Sequence, residues 1–122
     1  MSAGKDRPLS ARLVELGAEV ASANRRARKC AVAHRATEGE VARLRDAVLD
    51  AFASEDEARA AKASRERDKA EGAALRDSAE RLEGAQRAVQ RAGVERSTFA
   101  VEHIDGLVAE REPDAVAAAQ AV

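Results

Sequence analysis

The sequence predicts an all-α protein, an elongated coiled coil or helical hairpin with a long central helix and a short C-terminal helix. Apolar residues recur at alternating intervals of three and four over the first half of the chain, which is the heptad spacing of packed helices. Charged residues make up 35% of the 122 residues, and the richness in Ala, Arg, Glu and Leu is typical of long helices. Trp and Tyr are absent and only two Phe occur, so the aromatic residues that favour strands are nearly missing.

The heptad pattern is longest between Leu13 and Ala51, where it defines one stripe of a helix that faces a partner helix over many turns. Its members are Leu13, Leu16, Val20, Ala23, Ala27, Cys30, His34, Thr37, Val41, Leu44, Val48 and Ala51. The pattern predicts how the chain packs against another helix, and it does not indicate for what purpose.

The hydrophobic residues are mostly Ala, and the larger ones are eight Leu, eleven Val, one Ile, two Phe and Met1. Because burial stabilises by roughly 25 cal/mol per Å² of apolar surface, a stripe of Ala contributes far less than a stripe of Leu. A compact monomer with this composition would be marginally stable. We therefore expect the chain to oligomerise or to dock into a larger complex, which stabilises the folded form by mass action.

The formal net charge is −1, so the chain as a whole has no field that would attract it to nucleic acid or to an anionic membrane. The charges are unevenly distributed, because residues 1–37 carry a net +5 and residues 98–122 a net −4. Residues 1–8 contain no apolar run of a signal peptide, and no segment approaches eighteen apolar residues. The expectation is a protein that is not secreted by a signal peptide, has no membrane partner, and is cytoplasmic or part of a soluble macromolecular assembly.

The first predicted elements are a flexible N-terminal arm, residues 1–8, and a helix over residues 9–36. Pro8 fits the first turn of that helix, where its missing N–H is not needed. Thr37 to Glu40 reads as a capping box and predicts a break before the next helix. The heptad phase passes through this site undisturbed, so a single continuous helix is the alternative. A hairpin about residue 37.5 pairs Ala27 with Val48 but sets Leu16 opposite Arg59, so it is only half satisfactory.

A long second helix is predicted over residues 38–92, with another capping box at Ser54 to Glu57. Between residues 53 and 74 the only apolar side chain is that of Ala, so this stretch is either an exposed helix or a close Ala-lined contact, and we favour exposure. Leu75, Leu82 and Val89 resume the apolar pattern one position out of phase. The displaced phase suggests that this stripe and the heptad stripe between Leu13 and Ala51 face different partners.

A third helix, residues 97–111, is predicted to fold back on the second helix about residue 95, because Gly93 and Ser97 read as a helix end and a new N-cap. This fold-back pairs Val89 with Val101 and Leu82 with Val108. An Ala-rich tail, residues 113–122, follows. The complete predicted helix-packing interface is Leu13, Leu16, Val20, Cys30, Val41, Leu44, Val48, Leu75, Leu82, Val89, Val101, Ile104 and Val108.

No catalytic, metal-binding or cofactor-binding residues are predicted. His34 and His103 have no Cys or carboxylate at the spacing of a known metal site, and the seven glycines are scattered rather than grouped in a phosphate-binding loop. Cys30 falls on the heptad stripe, where a small buried hydrophobe is expected, a reactive thiol or an interchain disulfide being the alternatives. Phe99 is expected to pack at the corner of the fold-back, and an exposed Phe99 would be an anchor for another chain. We expect the protein not to be an enzyme.

The preferred functional hypothesis is a structural or assembly protein that binds identical copies or a larger complex, such as a phage virion or a bacterial scaffold. The alternative is a small dimeric nucleic-acid-associated regulator, since five basic residues lie on the helical face opposite or beside the heptad stripe. This predicted basic patch consists of Arg25, Arg26, Arg28, Lys29 and Arg35. A base-reading Asn pattern and aromatic residues for stacking are missing from it, so contact with water or with an acidic protein is favoured.

Overall fold

The computed structural model describes residues 7–111, and all regular elements in this range are helical. The helices are α1 (Leu9–Ala53), α2 (Glu57–Lys69) and α3 (Arg76–Glu102), with a π-helical turn, Ala70–Leu75, between α2 and α3. Residues 104–111 form α4. The predicted all-α helical hairpin with a short C-terminal helix is thus confirmed. The predicted Ala-rich tail and most of the N-terminal arm lie outside the described residues.

The predicted break at Thr37 is wrong, because α1 continues without interruption to Ala53. The Thr37 hydroxyl donates a hydrogen bond to the carbonyl of Ala33 at 3.0 Å, inside the helix, instead of capping a new one. The continuous helix indicated by the heptad phase is the observed arrangement.

The hairpin turn lies at Ser54 to Asp56. The N–H of Asp56 donates to the carbonyl of Ala51, and the N–H of Glu55 donates to that of Phe52, which is the Schellman pattern of a helix end. Glu55 occupies its left-handed position, with φ at 57°. Asp56 then begins α2 as N-cap, accepting a hydrogen bond from the N–H of Arg59 at 3.0 Å. The sequence located a cap here but assigned it to Ser54.

The chain divides into two compact units, and the first, the hairpin unit, comprises residues 25–87. The second arm of the hairpin, which consists of α2, the π-helical turn and the start of α3, runs antiparallel to α1. Two contacts connect it with α1: Nε of Arg45 lies 2.6 Å from Oε1 of Glu71, and Nδ1 of His34 lies 2.8 Å from Oγ of Ser78. The side chains buried in this unit are Val41, Leu44, Val48, Ala51, Ala60, Ala63 and Ala85. Burial of Ala60 and Ala63 shows that the stretch predicted to be exposed is a close Ala-lined contact.

The π-helical turn explains why the apolar pattern of the second arm is displaced by one position from Leu75 onward. A π turn contains one more residue than an α turn, so the inward face passes from Ala70 to Leu75 rather than to Ala74. Ala74 is exposed, whereas Leu75 and Leu82 are half-buried and Ala85 is buried. The Ala residues before the π-helical turn and the apolar residues after it therefore both face α1. The expectation that the displaced stripe meets a different partner is wrong.

The second compact unit, the terminal unit, comprises residues 7–24 and 88–111 of the described chain. Leu16 is its most buried side chain, at 1% exposure. The carboxylate of Glu110 accepts hydrogen bonds from the N–H groups of Leu9 at 2.5 Å and Ser10 at 3.0 Å. Glu110 thus caps the first turn of α1, where free N–H groups favour a negative charge.

The predicted fold-back of residues 97–111 onto the second helix is also wrong. α3 continues through Gly93 and Ser97 to Glu102, and Gly93 has no positive φ, so it does not end a helix. Residues 104–111 instead meet the start of α1, because a Cβ built on Gly106 would clash with Cδ1 of Leu9. A glycine at position 106 therefore permits this close approach.

Replacing Glu55 by Gly is expected to raise the free energy of unfolding by about 1 kcal/mol, because Gly takes the left-handed conformation without the steric cost of a Cβ. Urea denaturation measures the change. The control is Glu66→Gly, an exposed position in the interior of α2, which should destabilise by about 1 kcal/mol. Destabilisation by Glu55→Gly would mean that the hairpin turn lies elsewhere.

Candidate functional site

The predicted helix-packing residues fall into an inner and an outer group. On α1, Leu16, Val41, Leu44 and Val48 are buried. The half-buried members are Leu13, Val20, Cys30, Leu75, Leu82 and Val89. The members that the structure leaves exposed are Val101, Ile104 and Val108.

An apolar stripe covers the exposed face of α3 and α4 in the terminal unit. It consists of Val94, Val101, Ile104 and Val108, spaced by seven, three and four residues, and we call it the outer stripe. Their exposed fractions are 59%, 73%, 55% and 50%. The helical path continues through His103, whose N–H donates to Phe99 and whose carbonyl accepts from Leu107, so the four side chains share one face. The heptad spacing predicted three of them, Val101, Ile104 and Val108, but as part of a buried contact.

Phe99 lies on the opposite side of α3 from the outer stripe and is half-buried. Its ring centroid is 4.4 Å from that of His103, at an interplanar angle of 44°. Phe99 also lines a small pocket of about 270 Å³ with Arg12 and Leu16 of α1. Phe99 thus packs on its own chain, against α1 rather than at a fold-back corner.

Phe52 is the exposed aromatic side chain. Together with Leu49 it forms a second apolar patch on α1, one turn before the hairpin turn, with exposed fractions of 62% and 65%. Sequence reasoning missed this patch because Leu49 and Phe52 each flank a position of the heptad stripe. Large apolar side chains grouped on a surface are typical of protein contacts.

The predicted basic patch is exposed at all five positions, Arg25, Arg26, Arg28, Lys29 and Arg35. No carboxylate occurs between Val20 and Thr37 in the sequence. Among the ion pairs formed within residues 7–111, none involves these five cations. The patch is therefore a local surplus of unpaired positive charge.

A shallow groove of about 390 Å³ lies in the hairpin unit next to the π-helical turn, where Leu44 and Ala70 line it. At its side, Arg43 donates to Glu40 with Nε 2.9 Å from Oε2. This hydrogen bond lowers the pKa of Glu40 below its ordinary value and raises the pKa of Arg43. Since both groups are exposed, the pair contributes little to stability.

The side chains of His34, Ser78 and Cys30 were the remaining groups that could take part in chemistry. The Ser78 hydroxyl donates to the carbonyl of Leu75 at 3.0 Å, so its oxygen is available to accept from Nδ1 of His34. Cys30 is a half-buried free thiol. Within residues 7–111 no three His, Cys, Asp or Glu side chains are grouped so that they could bind a metal ion.

None of the helices in residues 7–111 combines the length and the apolar character needed to cross a membrane. No known protein family matches the chain, and neither a curated protein nor a solved structure shows significant similarity to it.

Two neighbouring residues of α1 test which side chains pack within the chain. Val48→Ala is expected to lower the free energy of unfolding by about 2 kcal/mol, because Val48 is 3% exposed and its loss leaves a cavity. Leu49→Ala should change it by less than about 0.5 kcal/mol, since Leu49 is mostly exposed. Chemical denaturation of both variants at low protein concentration provides the measurement. Equal losses would contradict the observed inner face of α1.

Proposed function

We propose that the protein is a non-catalytic structural or assembly component, whose helices bind further copies of the chain or a larger protein complex. The observation that supports this proposal is the ratio of exposed to buried apolar side chains. In residues 7–111, eight large apolar side chains are at least half exposed, and only four, Leu16, Val41, Leu44 and Val48, are buried.

The buried apolar side chains of residues 7–111 contribute little stabilisation. Burying a Val or Leu side chain contributes roughly 1.5–3 kcal/mol relative to leaving it exposed, and the other four buried hydrophobic residues are Ala. Four large side chains are few for a chain of this length, because ordering each residue costs about 1–2 kcal/mol of backbone entropy. Contact of the exposed apolar side chains with a partner would bury further surface and stabilise the fold.

The arrangement of the exposed residues also supports binding. The outer stripe follows the heptad spacing over fifteen residues, and Leu49 and Phe52 lie one helical turn apart. Both patterns present side chains in one direction, as helix-binding surfaces do.

Self-association predicts that the mass and the stability of the protein depend on its concentration. Light scattering after size-exclusion chromatography should give a mass above the 12.9 kDa of one chain, increasing with protein concentration. The melting temperature should rise over the same range, because association favours the folded state. A single 12.9 kDa species with a constant melting temperature at all concentrations, and no partner retained from the source cell, would contradict the proposal.

A second candidate function is nucleic-acid binding through the basic patch, which is favoured by its five exposed and unpaired cations. Such binding would depend strongly on salt, because each phosphate contact releases counterions. Binding of a labelled DNA duplex should then weaken steeply between 50 and 200 mM salt, and Arg25→Ala with Lys29→Ala should weaken it further. An absence of salt-sensitive binding by the unmodified chain would exclude this function.

A further inference from the structure

We propose that two copies of the chain associate through their outer stripes, with α3 and α4 of one copy antiparallel to those of the other. The proposal deepens the proposed function and rests on it, because it identifies the partner as a second copy and the contact as Val94, Val101, Ile104 and Val108. Three features of the terminal unit support it: the unpartnered apolar face, the charges on one side of this face, and the small side chains on the other.

The outer stripe is directed away from the chain's own packing. At 100° per residue its mean direction is roughly 150° from that of the half-buried residues on the inner face of α3 and α4, such as Phe99, His103 and Gly106. An inner partner helix and an outer partner helix can therefore be bound at the same time. Since each stripe residue is at least half exposed, the face is apolar without being covered by the described chain.

The heptad positions define the register of an antiparallel contact. Val94, Val101 and Val108 occupy one core position of the heptad, and Gln90, Ser97 and Ile104 occupy the other. In an antiparallel pair these two positions face each other. Val94 then faces Ile104 of the second copy, and Val101 faces Ser97 of the second copy.

The charges beside the stripe select a second copy in this orientation. Arg91 and Asp105 lie on the same side of it, both exposed, and neither has an ion-pair partner among residues 7–111. They are fourteen positions apart, about 21 Å along the helix, so they cannot pair within one chain. The antiparallel register brings Arg91 opposite Asp105 of the second copy, and the two-fold symmetry forms this pair twice.

A parallel arrangement would set Arg91 and Asp105 against the uncharged side of the stripe of the second copy, where they would have no ion-pair partner. The other side of the stripe carries Gly93, Ala100 and Leu107, which have no charge and, at the first two positions, little bulk. The helix of the second copy can approach closely on that side. The surface is thus complementary to itself only when the two copies run in opposite directions.

Sedimentation equilibrium of the full chain over a range of concentrations tests the contact. Val101→Asp is expected to raise the dimer dissociation constant about tenfold or more, because it introduces a charge at the centre of the apolar layer. The matched control is Val32→Asp, an exposed apolar position on α1 that is not part of the stripe and should leave the constant unchanged. Circular dichroism at low concentration should show the same helix content for both variants.

Charge reversal tests the orientation. Arg91→Asp alone and Asp105→Arg alone should each weaken the dimer several-fold, since each sets like charges opposite one another. The double variant should restore the dissociation constant of the unmodified chain, because the pairs are re-formed with exchanged charges. Failure of the double variant to restore binding would overturn the antiparallel register.

The outcomes distinguish this inference from the proposed function. If the unmodified chain self-associates and Val101→Asp has no effect, the outer-stripe contact is wrong and the assembly function stands. If the unmodified chain remains a monomer at the highest concentration, this inference is overturned. Concentration-independent melting together with the absence of any retained partner then overturns the proposed function as well.

Discussion

One additional residue in the π-helical turn, Ala70–Leu75, keeps the two apolar stripes of the second arm of the hairpin on the side that faces α1. Before this turn the inner face is formed by Ala60, Ala63 and Ala70, and after it by Leu75, Leu82 and Ala85. In an uninterrupted α-helix the second set would be rotated by about 100° and would not face α1. The π turn thus allows one continuous stripe of α1 to pack against both sets. Packing in the hairpin unit depends on this adjustment of phase.

The inner stripe of α1 could be predicted because it repeats over eleven helical turns, and all twelve positions from Leu13 to Ala51 are buried or half-buried. The position of the hairpin turn was harder to predict than this stripe. The residues at Thr37 have the pattern of a capping box, but a capping box is a local motif and the packing of a 45-residue helix overrides it. At the real turn the left-handed position holds Glu55 instead of the expected Gly, so the usual signal of a helix end is missing. The displaced phase of Leu75 was visible in the sequence, although its structural cause was not.

The outer stripe illustrates another limit of sequence reasoning. The spacing of Val101, Ile104 and Val108 correctly indicates an apolar face, but an amphipathic pattern does not identify the helix that it faces. The Gly93 and Ser97 signals suggested a fold-back onto the same chain, whereas the helix continues and leaves this face exposed. The basic patch, by contrast, could be predicted from helical geometry alone, since its residues lie opposite or beside the inner stripe. Apolar residues that pack within the chain and apolar residues that stay exposed have the same pattern, and only the structure separates them.

The most direct test of the phase adjustment is the free energy of unfolding of two single-glycine deletions. Gly72 lies within the π-helical turn and Gly84 within α3, and both are exposed with open space around the Cβ position. Deletion of Gly72 should convert the turn to a regular α-helix, keep both stripes facing α1 and change the stability by less than about 1 kcal/mol. Deletion of Gly84 should rotate the following residues off α1 and cost at least about 2 kcal/mol. Equal and large losses from both deletions would contradict the account.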